Sequence, residues 1–310
     1  LASGRAIAKV ILLGEHAVVY GRPALAVPVS RLEAEASVRW GMQGSGILIT
    51  AKDLGLRHRL GEPTPEALTH LETALLGALE HLEIEADQDL EVEVRSHIPM
   101  GRGLGSGAAV ATALVRAVGH HFGLDISASE VSALVFETEK VLHGTPSGID
   151  NAVVALECPL LFQDGRVEAL TVGCPFTLAI ADTGVTASTR ETVGDVRLAW
   201  DADPERYEAL FDGIGEIVRS GRGALEEGDV ESLGSTMDEN QELLEEMEVS
   251  SQELESLIDV ARAAGALGAK LSGGGRGGNI IALAPPEAER HIEEELQKAG
   301  ATRVLMTRVS

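Results

Sequence analysis

Apolar positions gather first in "RAIAKVILL" (5–13), a strand-length run interrupted by Lys9 and followed by a turn at Gly21. "ALAVPVS" (24–30) and "LEAEASVRW" (32–40) read as two further strands, the second alternating apolar and polar residues. "GILITA" (46–51) adds another. The period then becomes helical over "TPEALTHLETALLGALEHL" (64–82), with Pro65 near its start, where a missing N–H does no harm. In "DLEVEVRS" (89–96), Leu90, Val92 and Val94 share one face and charges the other. That is the pattern of an antiparallel strand wetted on one side, not of a parallel strand buried on both.

Helical periodicity returns from Ser106 to Phe122 and over 127–142, where Ser127 and Glu130 are spaced as a capping box. "HGTPSGIDNAVVAL" (143–156) reads as a loop entering a strand, and "PFTLAIADTG" (175–184) as a strand. From Thr189 to Ala264 the chain is mostly helical, and the acidic run 239–255 reads as solvated helix faces. "GAKLSGGGRGGNIIALAP" (268–285) is strand, glycine loop, strand; a helix over 287–298 and a strand over 301–309 close the order. Mixed strands and helices, then helices, then a small α+β ending predict an α+β chain without repeats. A soft boundary between 160 and 185 divides it into domains expected over 1–170 and 171–310.

Composition narrows the function. Aromatics are 3% of 310 residues, so the core is built from Leu, Val, Ile and Ala, and platforms for stacking bases are scarce. The formal charge of −24 repels nucleic acid and anionic membranes. Any phosphate ligand must therefore be held by a local device. Cys158 and Cys174 have no metal-like spacing and read as free thiols of a reducing compartment. No apolar run approaches the ~18 residues of a membrane span, and no charged-then-apolar leader is read. A cytoplasmic protein with neither membrane nor nucleic-acid partner is expected.

Such a device is offered by "IPMGRGLGSGAA" (98–109), directly before the helix at Ser106. Glycines let backbone N–H groups approach an anion, and a helix start adds unpaired N–H groups and the positive end of its dipole. The loose dinucleotide pattern formed by Gly103, Gly105 and Ala108 lacks its strand context, and the loop has no Gly-Lys-Ser/Thr. A tight turn into a helix is the plain alternative. Ser106 can cap that helix or ligate a metal held by a phosphate. Lys9, inside an apolar run, needs a partner or an open cleft. Glu15 and His16 end the same run, and Asp150 and Glu139 are oxygen donors suited to Mg2+ or to proton transfer.

Taken together, three ordered motifs at 9–23, 99–109 and 270–279 resemble the small-molecule kinase superfamily of galactokinase, homoserine kinase, mevalonate kinase and phosphomevalonate kinase (GHMP kinases). "KVILLGEHAVVYGRPALAVP" and "HGTPSGIDN" resemble its mevalonate kinases most; the acid that galactokinases carry after Glu-His is replaced by Ala17, Val18 and Val19. The resemblance implies a two-domain α+β fold: an N-terminal mixed α/β domain, a C-terminal ferredoxin-like α+β domain and an active site in the cleft between them. It implies ATP- and Mg2+-dependent phosphorylation of the 5-hydroxyl of mevalonate, and a homodimer is expected. Ser106 and Glu139 match the Mg2+ ligands, Asp150 the catalytic aspartate and Lys9 the lysine that pairs with it. Glu15, His16, Ser147, Thr189 and Gly274 match substrate-contacting positions. Pro99, Gly101, Gly103, Leu104, Gly105, Ser106, Gly107, Ala108 and Ala109 match the ATP phosphate loop, and Ser272 and Gly273 belong to the C-terminal loop. Departures are Gly107, where the family has a second serine, and Arg276 within "SGGGRGG". A sister kinase acting on phosphomevalonate or another small alcohol, or a silent protein on this fold, are the alternatives; retention of Lys9, Glu139 and Asp150 disfavours the latter.

Overall fold

The N-terminal apolar run forms strand β1 (Ala2–Leu13) of a computed structural model that describes residues 1–143 and 146–310. β1 pairs with β2 (Ala24–Trp40), one continuous strand of 17 residues where the pattern had suggested two. Pro28 is tolerated for a reason visible in the pairing. β2 uses Ala24–Ala26 against β6 (Leu160–Gln163) and Ala34–Trp40 against β5 (Leu90–Ser96), so the proline lies between those two registers. The residues divide into two compact units, each discontinuous in sequence. One comprises Leu1–Ala8, Arg31–Met100 and Gly105–Glu157; the other comprises Lys9–Ser30, Gly101–Leu104 and Cys158–Ser310.

In the first unit the strands run in the order β4 (Leu56–Arg59), β3 (Ile47–Ala51), β5, β2. β5 is antiparallel to β2, as its alternation predicts, and parallel to β3, which the alternation does not reveal. Leu90, Val92 and Val94 are buried on its inner face. Helices α1 (Thr69–His81), α2 (Ser106–Phe122), α3 (Ala128–His143) and α4 (Ile149–Leu156) pack on one another, and α2 also packs on β5. α2 comes so close to β1 that a Cβ on Gly4 would lie 2.3 Å from the Ala113 carbonyl oxygen. The capping box of α3 forms: the Glu130 N–H donates to Ser127 Oγ (3.3 Å) and the Ser127 N–H to the Glu130 carboxylate (2.8 Å).

One element differs in kind. Residues 149–156 are helix α4, not the strand that the apolar run predicts. Gly148, in the left-handed conformation at φ 92, turns the chain into the helix, and Asp150 sits in its first turn, where the helix dipole favours an acid. A short apolar run buried almost throughout has no period to separate helix from strand.

In the second unit β8 (Phe176–Asp182), β9 (Gly268–Ser272), β10 (Asn279–Ala284) and β11 (Arg303–Val309) form an antiparallel sheet in the order β11-β8-β10-β9. With α5 (Thr189–Ala202), α6 (Pro204–Glu227), α7 (Val230–Glu246) and α8 (Gln252–Ala263) before β9, and α9 (Glu289–Lys298) before β11, this is the ferredoxin-like βαββαβ order. β6 also carries the short edge strand β7 (Arg166–Ala169). The open edge of β9 is closed by α7. The Ala269 and Leu271 N–H groups donate to Asp238 Oδ1 and Gln241 Oε1, each at 2.9 Å. A Cβ on Gly268 would lie 2.0 Å from the Gly234 carbonyl oxygen, so two glycines set this approach. Asn240 and Gln241 are buried while Glu239, Glu242, Glu245 and Glu246 are exposed, so the acidic run is a solvated face as predicted.

Candidate active site

The glycine loop leads into α2 with Gly101, Gly103 and Gly105 at φ 67, 73 and 70, a conformation in which a Cβ is strained. The N-cap of α2 is Gly105, with no side-chain cap and no acid in the first turn. Ser106 does not cap the helix: its hydroxyl donates to the Ile98 carbonyl at 3.3 Å. Helices α5 to α8 behave differently, since Ser188, Asp203, Asp229 and Ser251 each cap one with a side-chain oxygen. The first-turn amides of α2 are thus left to an outside acceptor. Ala108 and Ala109 are buried beneath this turn, Ser106 and Gly107 half-buried, Pro99 half-buried before it.

Within the second unit the glycine loop meets the C-terminal loop backbone to backbone. A Cβ on Gly103 would lie 3.1 Å from the Ser272 carbonyl oxygen and one on Gly273 3.1 Å from Gly103 Cα. The Lys9 N–H donates to the Leu104 carbonyl (3.1 Å), Ser272 Oγ to Ile11 (3.0 Å) and Asn279 Nδ2 to Arg102 (2.6 Å). Lys9 itself is buried. Thr189 opens α5 so close to Gly274 that a Cβ there would lie 2.7 Å from its hydroxyl. Arg276, the bulky departure from the family loop, is committed elsewhere: its guanidinium pairs with Asp195 on α5 and its N–H donates to Val249 (2.8 Å).

The turn after β1 holds a buried polar corner. His16, at φ 61, places Nε2 3.1 Å from the Gly274 carbonyl, which makes Nε2 the protonated nitrogen. Burial outweighs this bond and lowers the imidazole to about 4, so the ring is neutral at physiological pH. Glu15 is buried and pairs with Lys270 of β9, whose Nζ also donates to the Leu271 carbonyl at 2.6 Å. Burial pushes the Glu15 carboxyl up and the Lys270 ammonium down, while each opposes the other's shift. Lys270 was not among the sequence candidates, nor were Asn240 and Gln241. The signal for Lys270 was present, a lysine inside "GAKLS", and it is the same signal that singles out Lys9.

The first unit carries the remaining candidates. Asp150 is half-buried in the first turn of α4, and Ser147 Oγ accepts the Ile149 N–H (3.4 Å) in the turn before it. Gly144 and Thr145 of the same motif lie outside the described residues. Glu139 is buried on α3. Among the described residues no group of three or more His, Cys, Asp or Glu side chains could hold a metal by itself. A hydroxyl and a carboxylate, Ser106 and Glu139, nonetheless suit Mg2+, which binds through few protein oxygens and takes the rest from water and substrate phosphates.

Residues 72–157 match the GHMP kinases N terminal domain, and residues 222–302 match GHMP kinases C terminal. The mevalonate kinase of Pyrococcus horikoshii is 37% identical over 98% of this chain and 94% of its own. The crystal structure of L. major mevalonate kinase in complex with R-mevalonate superposes with a TM-score of 0.85 at 30% identity, covering 100% of this chain and 96% of that one. The Methanococcus jannaschii mevalonate kinase gives 0.87 at 25% identity, covering 99% and 98%.

Proposed function

The chain belongs to the GHMP kinases, among their mevalonate kinases, and from that premise we propose that it transfers the γ-phosphoryl of ATP to the 5-hydroxyl of (R)-mevalonate. The observation that carries the phosphoryl-transfer reading is the uncapped start of α2 behind three glycines at positive φ. In a chain of net charge −24, anion binding by main-chain amides needs no basic surface.

Phosphoryl transfer asks little covalent chemistry of a protein; positioning and charge stabilisation supply the rate. Gly101 to Ala109 bind the phosphates through backbone N–H groups. Asp150 accepts the proton of the 5-hydroxyl. Lys9 lowers that hydroxyl's pKa and offsets charge on the moving group. Glu15 and His16 orient mevalonate, with Ser147, Thr189 and Gly274 contacting it. Ser106 and Glu139 would hold Mg2+, which would supply charge to offset that of the ATP phosphates. The test is coupled ADP release with mevalonate, phosphomevalonate, galactose and homoserine at millimolar concentration. Turnover with mevalonate alone is expected; none with mevalonate overturns the reading. Asp150→Ala and Lys9→Met should each lower kcat at least ~100-fold, and near-normal turnover would remove that residue from its role.

A further inference from the structure

The buried corner at Glu15 contains more than substrate contact requires. Lys270 Nζ, fully buried, binds one carboxylate oxygen of Glu15, Oε1, and the Leu271 carbonyl. The second oxygen, Oε2, is also buried and has no hydrogen-bond partner among the described residues. The backbone on either side of the pair is held by consecutive residues of α7. The Gly14 N–H donates to Asn240 Oδ1 (3.0 Å) and the Leu271 N–H to Gln241 Oε1 (2.9 Å). Ser272, two residues along β9 from Lys270 and so on the same face, donates to the Ile11 carbonyl (3.0 Å). Every partner in this frame belongs to the same compact unit.

We propose that Lys270 is a positioning residue for substrate binding: it engages Glu15 Oε1 and keeps the carboxylate ionised, leaving Oε2 as the acceptor for a hydroxyl of the substrate. The inference rests on the mevalonate reading and adds to it the residue that sets the charge and direction of Glu15. A buried carboxylate without a partner takes up a proton rather than remain charged. A protonated Glu15 would present a donor where the substrate hydroxyl needs an acceptor. Lys270 prevents this, and α7 prevents the pair from shifting, because its two amide side chains hold the main chain beside each member. The charged groups that act on Glu15 are Lys270 and, more weakly, Lys9; neighbouring His16 is neutral, and Asn240 and Gln241 on α7 carry no charge.

Four variants test this: Lys270→Met, Lys270→Gln, Glu15→Gln and the double Glu15→Gln/Lys270→Met. Each is assayed for the KM of mevalonate and of ATP between pH 6 and 9. In Lys270→Met and Lys270→Gln the mevalonate KM is expected to rise about tenfold or more at neutral pH, with the ATP KM little changed, the scale of a lost hydrogen bond to a charged group. That KM should fall back toward the wild-type value as pH rises and Glu15 ionises again. The double variant should match Glu15→Gln alone at every pH, since Lys270 acts only through Glu15. A wild-type mevalonate KM in either folded lysine variant overturns the proposal. So does a rise that is independent of pH, or a double variant in which the two effects multiply. If neither lysine variant folds while the double variant does, Lys270 serves folding only and the assignment also falls. Absence of mevalonate turnover in the wild-type enzyme would instead remove the underlying reading, and is distinguished by that control.

Discussion

His16 shows how a single side chain ties the site to the stability of the fold. Its imidazole sits at about 4 against an ordinary value of 6.5. The unfolded chain therefore binds more protons than the folded one between those values. The contribution is fully present above pH ~6.5 and is lost as pH falls toward 4, on the order of 3 kcal/mol in all. His16→Asn, which tolerates the same positive φ, removes that titration. Thermal melts at pH 4 to 7 should show the wild type losing stability relative to the variant as pH falls; parallel curves would mean that His16 is not buried in neutral form. Sequence reasoning found His16 beside Glu15, but not Lys270, because a charged residue in a strand can be recognised as costly without disclosing which distant residue it pairs with. Glu15, in the turn after β1, and Lys270, on β9, are brought together across a sequence separation of 255. Arg276 is the converse case. Its bulk and charge stand out in the glycine-rich loop, and its guanidinium pairs with Asp195, fastening the loop onto α5.

At the scale of elements, a period or a long bounded run was legible. α3 and β5 follow their patterns, since one face is buried and the other wetter, while α2, β9 and β10, buried nearly throughout, were legible from the length of the run or from the glycine loops that bound it. What failed had none: the apolar run of α4 is buried nearly all round, and β4 and β7 are four-residue strands with little inner face. The start of α2 is the element on which nucleotide binding is proposed to depend. Ser106→Ala should reduce kcat/KM for ATP by about tenfold or more, whereas Gly107→Ser, which keeps the main-chain N–H, should change it only modestly. Glu139→Gln should raise the Mg2+ concentration needed for half-maximal rate. A silent Ser106→Ala, or an unchanged Mg2+ requirement in Glu139→Gln, would move the metal away from these residues. α7 makes a separate mechanical claim, because its contact with β9 has no room for a Cβ at Gly268. Gly268→Ala should cost about 2 kcal/mol or more, read as a lowered midpoint of urea unfolding, and an unchanged midpoint would mean that this approach is not tight.

For the whole molecule the excess of acids is the dominant fact. With 49 acidic and 25 basic residues, and acidic faces such as that of α7 exposed, self-repulsion opposes the folded state at low ionic strength. The melting temperature should rise as KCl is increased from about 0.05 M to about 1 M, and a flat or falling curve would show that surface ion pairs outweigh the repulsion. Composition alone announced this property. It could not announce that the strands β1 and β2 each contribute residues to both compact units, because nothing in an alternating pattern reveals where along a strand its partners change. The backbone contact between Gly103 and Gly273 has a consequence on the same scale. Both glycines have positive φ, and a side chain on either would press on the other's loop, although 170 positions separate them (273 minus 103). In recombination between this gene and a relative's, any crossover between those codons unites two loops that have not diverged in each other's company. Hybrids of that kind are expected to fold only where both loops keep room for the contact. Grafting either loop from another kinase into this chain should therefore need glycine, or a matched pair of residues, at both positions.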